Sequence, residues 1–190
     1  MRLVLLDRDG VLNVDREDSV KTPGELVMLP GAAEAVARLN AAGRLVAVCS
    51  NQSVVGRGII DEAMLGRIHE KLADELARVG ARLDAIFFCP DAPHNVGPRR
   101  KPAPGMLFDA MRRFRIAAED TVMIGDALSD LEAASSAGCR RILLRTGKGA
   151  AAQAAGLPRH VLPVAVCEDL PAAVDGLLDN PPDNLSGRGA

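Results

Sequence analysis

Residues 3–11 read LVLLDRDGV, an unbroken apolar run that leads directly into two carboxylates separated by one residue. A short run that is apolar at every position is typical of a parallel strand covered on both faces. Runs of the same kind recur at residues 45–49, 85–89, 121–124 and 142–144. The first run therefore predicts a buried strand whose carboxyl end carries Asp7 and Asp9.

Stretches with helical periodicity lie between these runs and predict helices over residues 31–42, 61–79, 104–114, 128–137 and 170–178. Asp61 is typical of a helix N-cap, and Gly80 and Gly138 are typical of helix ends. Strands that alternate with helices favour a parallel sheet joined by right-handed crossovers. We therefore expect an α/β fold, with a doubly wound, Rossmann-like parallel sheet and helices on both faces.

The loops at the strand ends are too short to contain an inserted domain. Residues 51–83 have room for a loop and one helix, and residues 7–30 are also too few. We therefore expect one domain over residues 1–179, with no cap above its site. Residues 180–190 are rich in Pro, Gly and Asn, and we expect them to form a disordered tail.

The composition argues against several function classes. The 190 residues are 48% hydrophobic and 25% charged, which is ordinary for a globular protein. A formal net charge of −2 and an aromatic content of 2% argue against nucleic-acid binding. The four cysteines form no C-x-x-C pair, and the apolar run at the start is too short for a signal peptide or a membrane span. We expect a cytoplasmic monomer without nucleic-acid or membrane partners.

Polar side chains follow the predicted strands at the sheet edge where ligands bind in open α/β folds. They comprise four carboxylates, one hydroxyl and one cation: Asp7, Asp9, Ser50, Lys101, Asp126 and Asp130. Each feature alone is common in solvated loops, helix caps and strand–helix turns. Their joint order along the chain is what makes the pattern specific.

These groups suit the transfer of a phosphoryl group to an aspartate. Asp7 and Asp126, from two strands, can hold Mg²⁺, which prefers a few carboxylate oxygens plus phosphate and water. Asp7 is then the nucleophile. Asp9 can donate a proton to the leaving oxygen and later accept one from water. Ser50 and Lys101 can hold the phosphoryl oxygens as charge spreads over them.

The same residues resemble the four motifs of the haloacid dehalogenase superfamily, matched here over residues 1–145. The strings LDRDGVLNVD, SNQSVVGRG, RKPAPGM and IGDALSDLEAA are similar to two families of that superfamily. These are the D-glycero-D-manno-heptose 1,7-bisphosphate 7-phosphatases and their sisters, the histidinol-phosphate phosphatases. The resemblance implies a capless, Mg²⁺-dependent phosphatase of bacterial heptose synthesis, which supplies lipopolysaccharide or related surface glycans.

The resemblance also implies further roles at the site. The backbone carbonyl of Asp9 would join Asp7 and Asp126 around Mg²⁺, with Asp130 behind them. Arg100 would recognise the substrate. The loops of residues 15–18 and 51–53 would contact it, including Asp15, Asp18, Asn51, Gln52 and Ser53. Arg57 could reach the second phosphate of a bisphosphate, or it could equally be a surface charge.

Two departures from the family pattern affect these expectations. Family members usually hold a structural zinc with a C-x-H and a C-x-C pair in the loop before R-K-P. Here that loop reads CPDAPHNVGPRRKP, so Cys89 is present, Asp91 replaces the histidine and the second pair is missing. We therefore expect no structural Zn²⁺, although His94 could supply one ligand. At Ala127, many relatives carry a larger polar or cationic side chain.

Two alternatives to the heptose phosphatase remain at this stage. The first is histidinol phosphate as the substrate, because the sequence distinguishes poorly between the two sister families. A receiver-type signalling domain also places carboxylates, a hydroxyl and a lysine at strand ends, but its accepting aspartate follows the third strand. Here that strand ends in Cys89 and Pro90. Residues 145–149 lack the full P-loop pattern, which argues against nucleotide binding, and His69 is expected to be structural or solvated.

Overall fold

Six parallel strands form one sheet in the computed structural model of the chain, which describes residues 1–94 and 97–179. The strands are β1 (Leu3–Leu6), β2 (Leu45–Asn51), β3 (Ala85–Cys89), β4 (Thr121–Gly125), β5 (Arg140–Leu144) and β6 (Ala165–Cys167). Their spatial order is β3-β2-β1-β4-β5-β6, and every neighbouring pair is parallel. The chain winds outward from β1 in one direction, returns to the other side of β1 and winds outward again. The predicted doubly wound fold is confirmed.

Helices cover both faces of this sheet. They are α1 (Ala32–Ala41), α2 (Ser53–Gly56), α3 (Glu62–Ala77), α4 (Gly105–Phe114), α5 (Leu128–Ala137), α6 (Gly149–Ala154) and α7 (Leu170–Asp179). Buried side chains of α1, α3 and α7 share one apolar core, and those of α4 and α5 share another. The five predicted helices are present with small shifts at their ends, and the Asp61 side chain accepts the backbone N–H of Met64 as an N-cap.

Strand β1 lies at the centre and alternates its side chains between these two cores. Val4 and Leu6 belong to the core beneath α1, α3 and α7. Leu3 and Leu5 belong to the core beneath α4 and α5. Because successive side chains of a strand point to opposite faces, Asp7 is directed toward the α4 and α5 side.

The reversal of strand order between β1 and β4 positions the two central carboxylates. In doubly wound sheets a crevice opens beyond the carboxyl ends of the strands at such a reversal. The Asp7 N–H still donates to the Ile124 carbonyl at 3.0 Å, so the two strands stay paired up to this point. Asp126 follows directly after β4. The fold therefore brings Asp7 and Asp126 to the same crevice.

Three short elements were not predicted: β6, α2 and α6. Strand β6 has three residues at the sheet edge and is largely exposed, so it lacks the continuous apolar pattern of a central strand. The expected disordered tail over residues 180–190 lies outside the described residues. Within the described part of the chain, none of the helices has the length and apolar character needed to cross a membrane.

The core assignment predicts a difference between two Leu→Ala substitutions. Leu39 on α1 is fully buried, whereas Leu162 is 49% exposed. We expect Leu39→Ala to lower the free energy of unfolding by about 2–5 kcal/mol, because it removes buried area and leaves a cavity. Leu162→Ala should change it by less than about 1 kcal/mol. Urea unfolding followed by circular dichroism measures both, and equal losses would contradict the assignment.

Candidate active site

A polar cavity of about 640 Å³ opens at the carboxyl edge of the sheet. Its lining includes nine residues predicted from the sequence: Asp7, Asp9, Asp15, Ser50, Asn51, Ser53, Arg100, Lys101 and Asp126. It also includes Arg16 and Glu17, which belong to the predicted loop of residues 15–18, and Ala127, which was singled out from the sequence. Four lining residues were not predicted: Ser19, Ser129, Gly147 and Lys148. The structure thus brings the motif residues of β1, β2, β4 and the loop before α4 into one site.

Three carboxylates lie together at the floor of this cavity. One oxygen each of Asp7, Asp126 and Asp130 falls within 4.8 Å of the others. The backbone of two loops packs against the Asp126 carboxylate. Its Oδ2 accepts the Lys148 N–H at 2.8 Å. A Cβ at Gly10 would lie only 2.2 Å from the same oxygen. Only glycine fits at position 10, where φ is +81°.

The electrostatics of this floor favour a bound cation. Burial raises the pKa of Asp7 to about 6, and repulsion from Asp130 and Asp9 adds to the rise. Burial and the Asp7 charge likewise raise the pKa of Asp126 to about 7. Two buried, repelling carboxylates with oxygens a few ångströms apart are the donor set that a hard divalent ion such as Mg²⁺ prefers. The residues present therefore fit magnesium, with Asp7 and Asp126 as side-chain ligands.

Lys101 supplies a fixed positive charge beside these carboxylates. Its buried Nζ lies 2.5 Å from Asp130 Oδ1 and 3.2 Å from Asp7 Oδ1, and it donates to the Cys49 carbonyl at 2.7 Å. Burial would lower the pKa of Lys101, but attraction to Asp130 and Asp7 overcomes it and raises the pKa. The ammonium group is therefore charged and held at the side of Asp7.

Asn51 positions Lys101 through its backbone. The Asn51 Nδ2 donates to the Lys101 carbonyl at 2.9 Å, and the Asn51 Oδ1 accepts the Lys101 N–H at 3.1 Å. This double contact joins the end of β2 to the loop before α4, across fifty residues of sequence. Asn51 therefore fixes the position of the Lys101 backbone and also lines the cavity.

Asp9 has an environment opposite to that of Asp7. Its two carboxylate oxygens accept from Arg8 at 2.9–3.3 Å, from the Asn13 Nδ2 at 2.8 Å and from the Gln52 Nε2 at 2.9 Å. Burial would raise the pKa of Asp9, but the Arg8 charge and these donors lower it. This arrangement stabilises the carboxylate form of Asp9, which is the form that can accept a proton from water.

Four of the sequence candidates do not line the cavity. Asp130 is fully buried beneath it, where its carboxylate contacts the Lys101 ammonium group. Gln52 is buried behind it and donates through Nε2 to both Asp9 and the Ser50 Oγ. Asp18 is exposed, and its carboxylate pairs with Lys21. Arg57 is exposed beyond α2 and is not among the lining residues.

Sequence reasoning missed Arg8 and the loop after β5. Arg8 is fully buried beneath Asp9, an uncommon place for an arginine that nothing in the motif signals. The loop was rejected as a P-loop, yet the Thr146 Oγ1 donates to the Gly10 carbonyl at 2.6 Å and Lys148 contacts Asp126. The rule that ligands bind beyond strand ends could have found this loop, because it directly follows β5.

Asp91, at the position of the missing zinc histidine, closes the loop before α4 with hydrogen bonds. Its Oδ2 accepts the Gly97 N–H at 3.2 Å, and its carbonyl accepts Arg100 Nη1 at 2.7 Å. These contacts hold Arg100 at the cavity wall. Cys89 is buried at the start of this loop, and residues 95–96 lie outside the described part. The absence of structural zinc stays a prediction.

Known proteins are similar to this chain over most of its length. The HAD-hydrolase-like family model matches residues 98–173. A D-glycero-beta-D-manno-heptose-1,7-bisphosphate 7-phosphatase from Bordetella bronchiseptica is 44% identical over 179 residues, covering 94% of this chain and 98% of that protein. A phosphatase of the same name from Pseudomonas aeruginosa is 39% identical over 176 residues, covering 93% and 97%.

Solved structures show the same similarity in three dimensions. The crystal structure of D,D-heptose 1,7-bisphosphate phosphatase from B. bronchiseptica, complexed with magnesium and phosphate, matches with a TM-score of 0.89 at 44% identity. The match covers 94% of this chain and 99% of that one. The corresponding phosphatase from Burkholderia thailandensis matches with a TM-score of 0.74 at 41% identity, covering 95% and 100%.

Magnesium should stabilise the protein more strongly at higher pH. The folded-state pKa values of Asp7 and Asp126 are raised to about 6 and 7. Protonation of these carboxyls therefore stabilises the metal-free fold at low pH, and this stabilisation is lost as the pH rises through those values. Magnesium must displace their protons, so its affinity rises over the same window. We expect a larger Mg²⁺-induced increase in Tm at about pH 8 than at about pH 5.5, measured by scanning calorimetry. Asp126→Asn should abolish most of the difference, and equal increases in the parent protein would contradict the assignment.

The loop after β5 predicts a contrast between two Gly→Ala variants. Gly147 and Gly43 both have positive φ, so alanine is strained at either. A Cβ at Gly147 would lie 2.0 Å from Asp126 Oδ2, whereas a Cβ at Gly43 would meet nothing within 4 Å. We expect Gly147→Ala to weaken Mg²⁺ binding by about tenfold or more, because it displaces a ligand. Gly43→Ala should lose only stability. Calorimetric titration with Mg²⁺ checks this, and equal Mg²⁺ affinities would contradict it.

Proposed function

This chain belongs to the D-glycero-D-manno-heptose 1,7-bisphosphate 7-phosphatase family of haloacid dehalogenase-like hydrolases, and we propose that it removes the 7-phosphate of that bisphosphate through an aspartyl-phosphate on Asp7. It is a phosphoric monoester hydrolase of bacterial heptose synthesis. The observation that carries the proposal is the position of Asp7, between the Lys101 ammonium and a second buried carboxylate, Asp126.

The phosphate monoester binds with its phosphorus facing Asp7. Lys101 contacts one phosphoryl oxygen, and the Ser50 hydroxyl donates to another. Magnesium, when held by Asp7 and Asp126, supplies the positive charge that lowers repulsion between the Asp7 carboxylate and the phosphate dianion. Arg100 and Ser53, on the cavity wall, contact the sugar part of the substrate.

In the first step an Asp7 oxygen attacks phosphorus, and the bond from phosphorus to the sugar oxygen breaks. Asp9 in its acid form donates a proton to that leaving oxygen. Asp9 is then the carboxylate that Arg8, Asn13 and Gln52 stabilise. When Asp9 donates its proton, it becomes a carboxylate that is stabilised by the Arg8 charge and by two side-chain amide donors.

In the second step a water molecule attacks the phosphorus of the aspartyl-phosphate. Asp9 accepts a proton from this water, and the bond between phosphorus and Asp7 breaks to release inorganic phosphate. Asp9 returns to its acid form for the next turnover. Because Asp9 activates water, the phosphorylated state is short-lived, which supports a hydrolase over a receiver-type signalling domain.

We further propose that the enzyme works as a cytoplasmic monomer without zinc, nucleic-acid or membrane partners. Its near-neutral charge balance and low aromatic content support this. The hydrogen bonds of Asp91 close the loop before α4 without a metal ion.

Asp7→Asn should abolish phosphate release while leaving the fold intact, because an amide is not a nucleophile toward phosphorus. Asp9→Asn should lower kcat by about 10²–10⁴-fold, since acid–base assistance is lost. Phosphate release with heptose 1,7-bisphosphate and Mg²⁺ measures both, and far-ultraviolet circular dichroism checks the fold. Near-normal activity of Asp7→Asn would refute the nucleophile.

The substrate is tested by comparing kcat/KM for heptose 1,7-bisphosphate with that for histidinol phosphate, in Mg²⁺ and after chelation. We expect the bisphosphate to be preferred and chelation to remove activity. A preference for histidinol phosphate would assign the chain to the sister activity, and full activity in chelator would refute the role of magnesium.

A further inference from the structure

The substrate of the proposed reaction carries a second phosphate, and the cavity must accommodate it away from Asp7. The described cavity lining contains four cationic side chains: Arg16, Arg100, Lys101 and Lys148. It also contains Asp15 and Glu17, which repel a phosphate. A second phosphate must therefore lie beside one of the cations to remain in the cavity.

Three of these cations are less well placed for a second phosphate. Lys101 is buried among the floor carboxylates, so it serves the reacting phosphoryl group. Arg100 donates through Nη1 to the Asp91 carbonyl and orders the loop before α4. Arg16 pairs with Asp18 on the exposed side of the loop after β1, where the two side chains are 39% and 59% exposed, and Asp18 is not part of the cavity lining.

Lys148 differs because the catalytic loop fixes its backbone, while its ammonium group is held by one exposed ion pair that a phosphate can replace. Its N–H donates to Asp126 Oδ2 at 2.8 Å, and the Thr146 Oγ1 ties the same loop to Gly10 at 2.6 Å. The Lys148 Nζ contacts the Asp15 carboxylate at 2.9 Å, and the lysine side chain is 70% exposed at the cavity. The catalytic loop thus sets the position of Lys148, while a single surface ion pair, which is weak, holds its charge.

We propose that Lys148 is a specificity-determining residue that binds the phosphate group remaining on the product, exchanging its contact with Asp15 for that phosphate. The inference rests on the proposed bisphosphatase function. It assigns to the loop after β5 the role that sequence reasoning considered for Arg57, which is exposed outside the cavity lining. A dianionic phosphate offers more charge than one carboxylate, so the exchange favours bisphosphate over monophosphate substrates.

The test compares heptose 1,7-bisphosphate with heptose 7-phosphate, which lacks the second phosphate. We expect Lys148→Met to lower kcat/KM for the bisphosphate by about 10- to 100-fold, mainly through KM, as for a lost charge-assisted hydrogen bond. For the monophosphate the value should stay within about threefold. Lys148→Arg should restore the preference, and Lys71→Met, a lysine paired with Glu75 on α3, is the matched control.

Binding without turnover gives a second measurement. In an Asp7→Asn background, calorimetric Kd values for the two ligands should show the same selective loss on adding Lys148→Met. Equal losses for both ligands, or a selective loss with Arg57→Met instead, would overturn the inference. If the parent enzyme is inactive on the bisphosphate, both the proposed function and this inference are overturned. This outcome differs from failure of the inference alone, in which the parent enzyme is active and only the variants depart from expectation.

Discussion

The site depends on one electrostatic constraint: two carboxylates buried at neighbouring strand ends cannot both be charged without compensating positive charge. Asp7 and Asp126 are placed together because β1 and β4 are neighbours at the point where the order of the strands reverses. Lys101 supplies part of the compensation from the loop before α4. The raised pKa values of both carboxyls, to about 6 and about 7, indicate that this part is insufficient. Protons at low pH, or a bound divalent cation at higher pH, supply the rest of the compensation.

Two aspartates separated by one residue acquire different roles from their surroundings. Burial, together with repulsion from Asp130 and Asp9, outweighs the contacts with Lys101 and Ser50 and raises the pKa of Asp7. Asp9, although also buried, is surrounded by Arg8, Asn13 and Gln52, and its pKa is lowered. A cation bound at Asp7 would lower its pKa toward the carboxylate form that attacks phosphorus. The side chains that contact Asp9 come from the residue directly after β2 and from the turn after β1, so the fold sets the environment of Asp9.

Much of this arrangement could be predicted from sequence because strand periodicity and strand ends are local signals. The apolar run before Asp7 predicted both the strand and the edge at which its carboxylate would lie. Contacts between distant residues carry no such signal: nothing near position 148 indicates that its N–H holds Asp126. Nor does the sequence separate Arg57, which is exposed, from Arg100, which lines the cavity. Short edge elements such as β6 also escape prediction, since too few residues define their period.

The central claim is that the Asp7 carboxylate becomes covalently bound to phosphorus during turnover. Rapid acid quench with substrate labelled at the transferred phosphate, followed by tryptic digestion, tests it directly, because cleavage after Arg8 separates residues 3–8 from residues 9–16. We predict hydroxylamine-sensitive label on the peptide of residues 3–8, which contains Asp7 but not Asp9. Label on another peptide, or none during active turnover, would contradict the account.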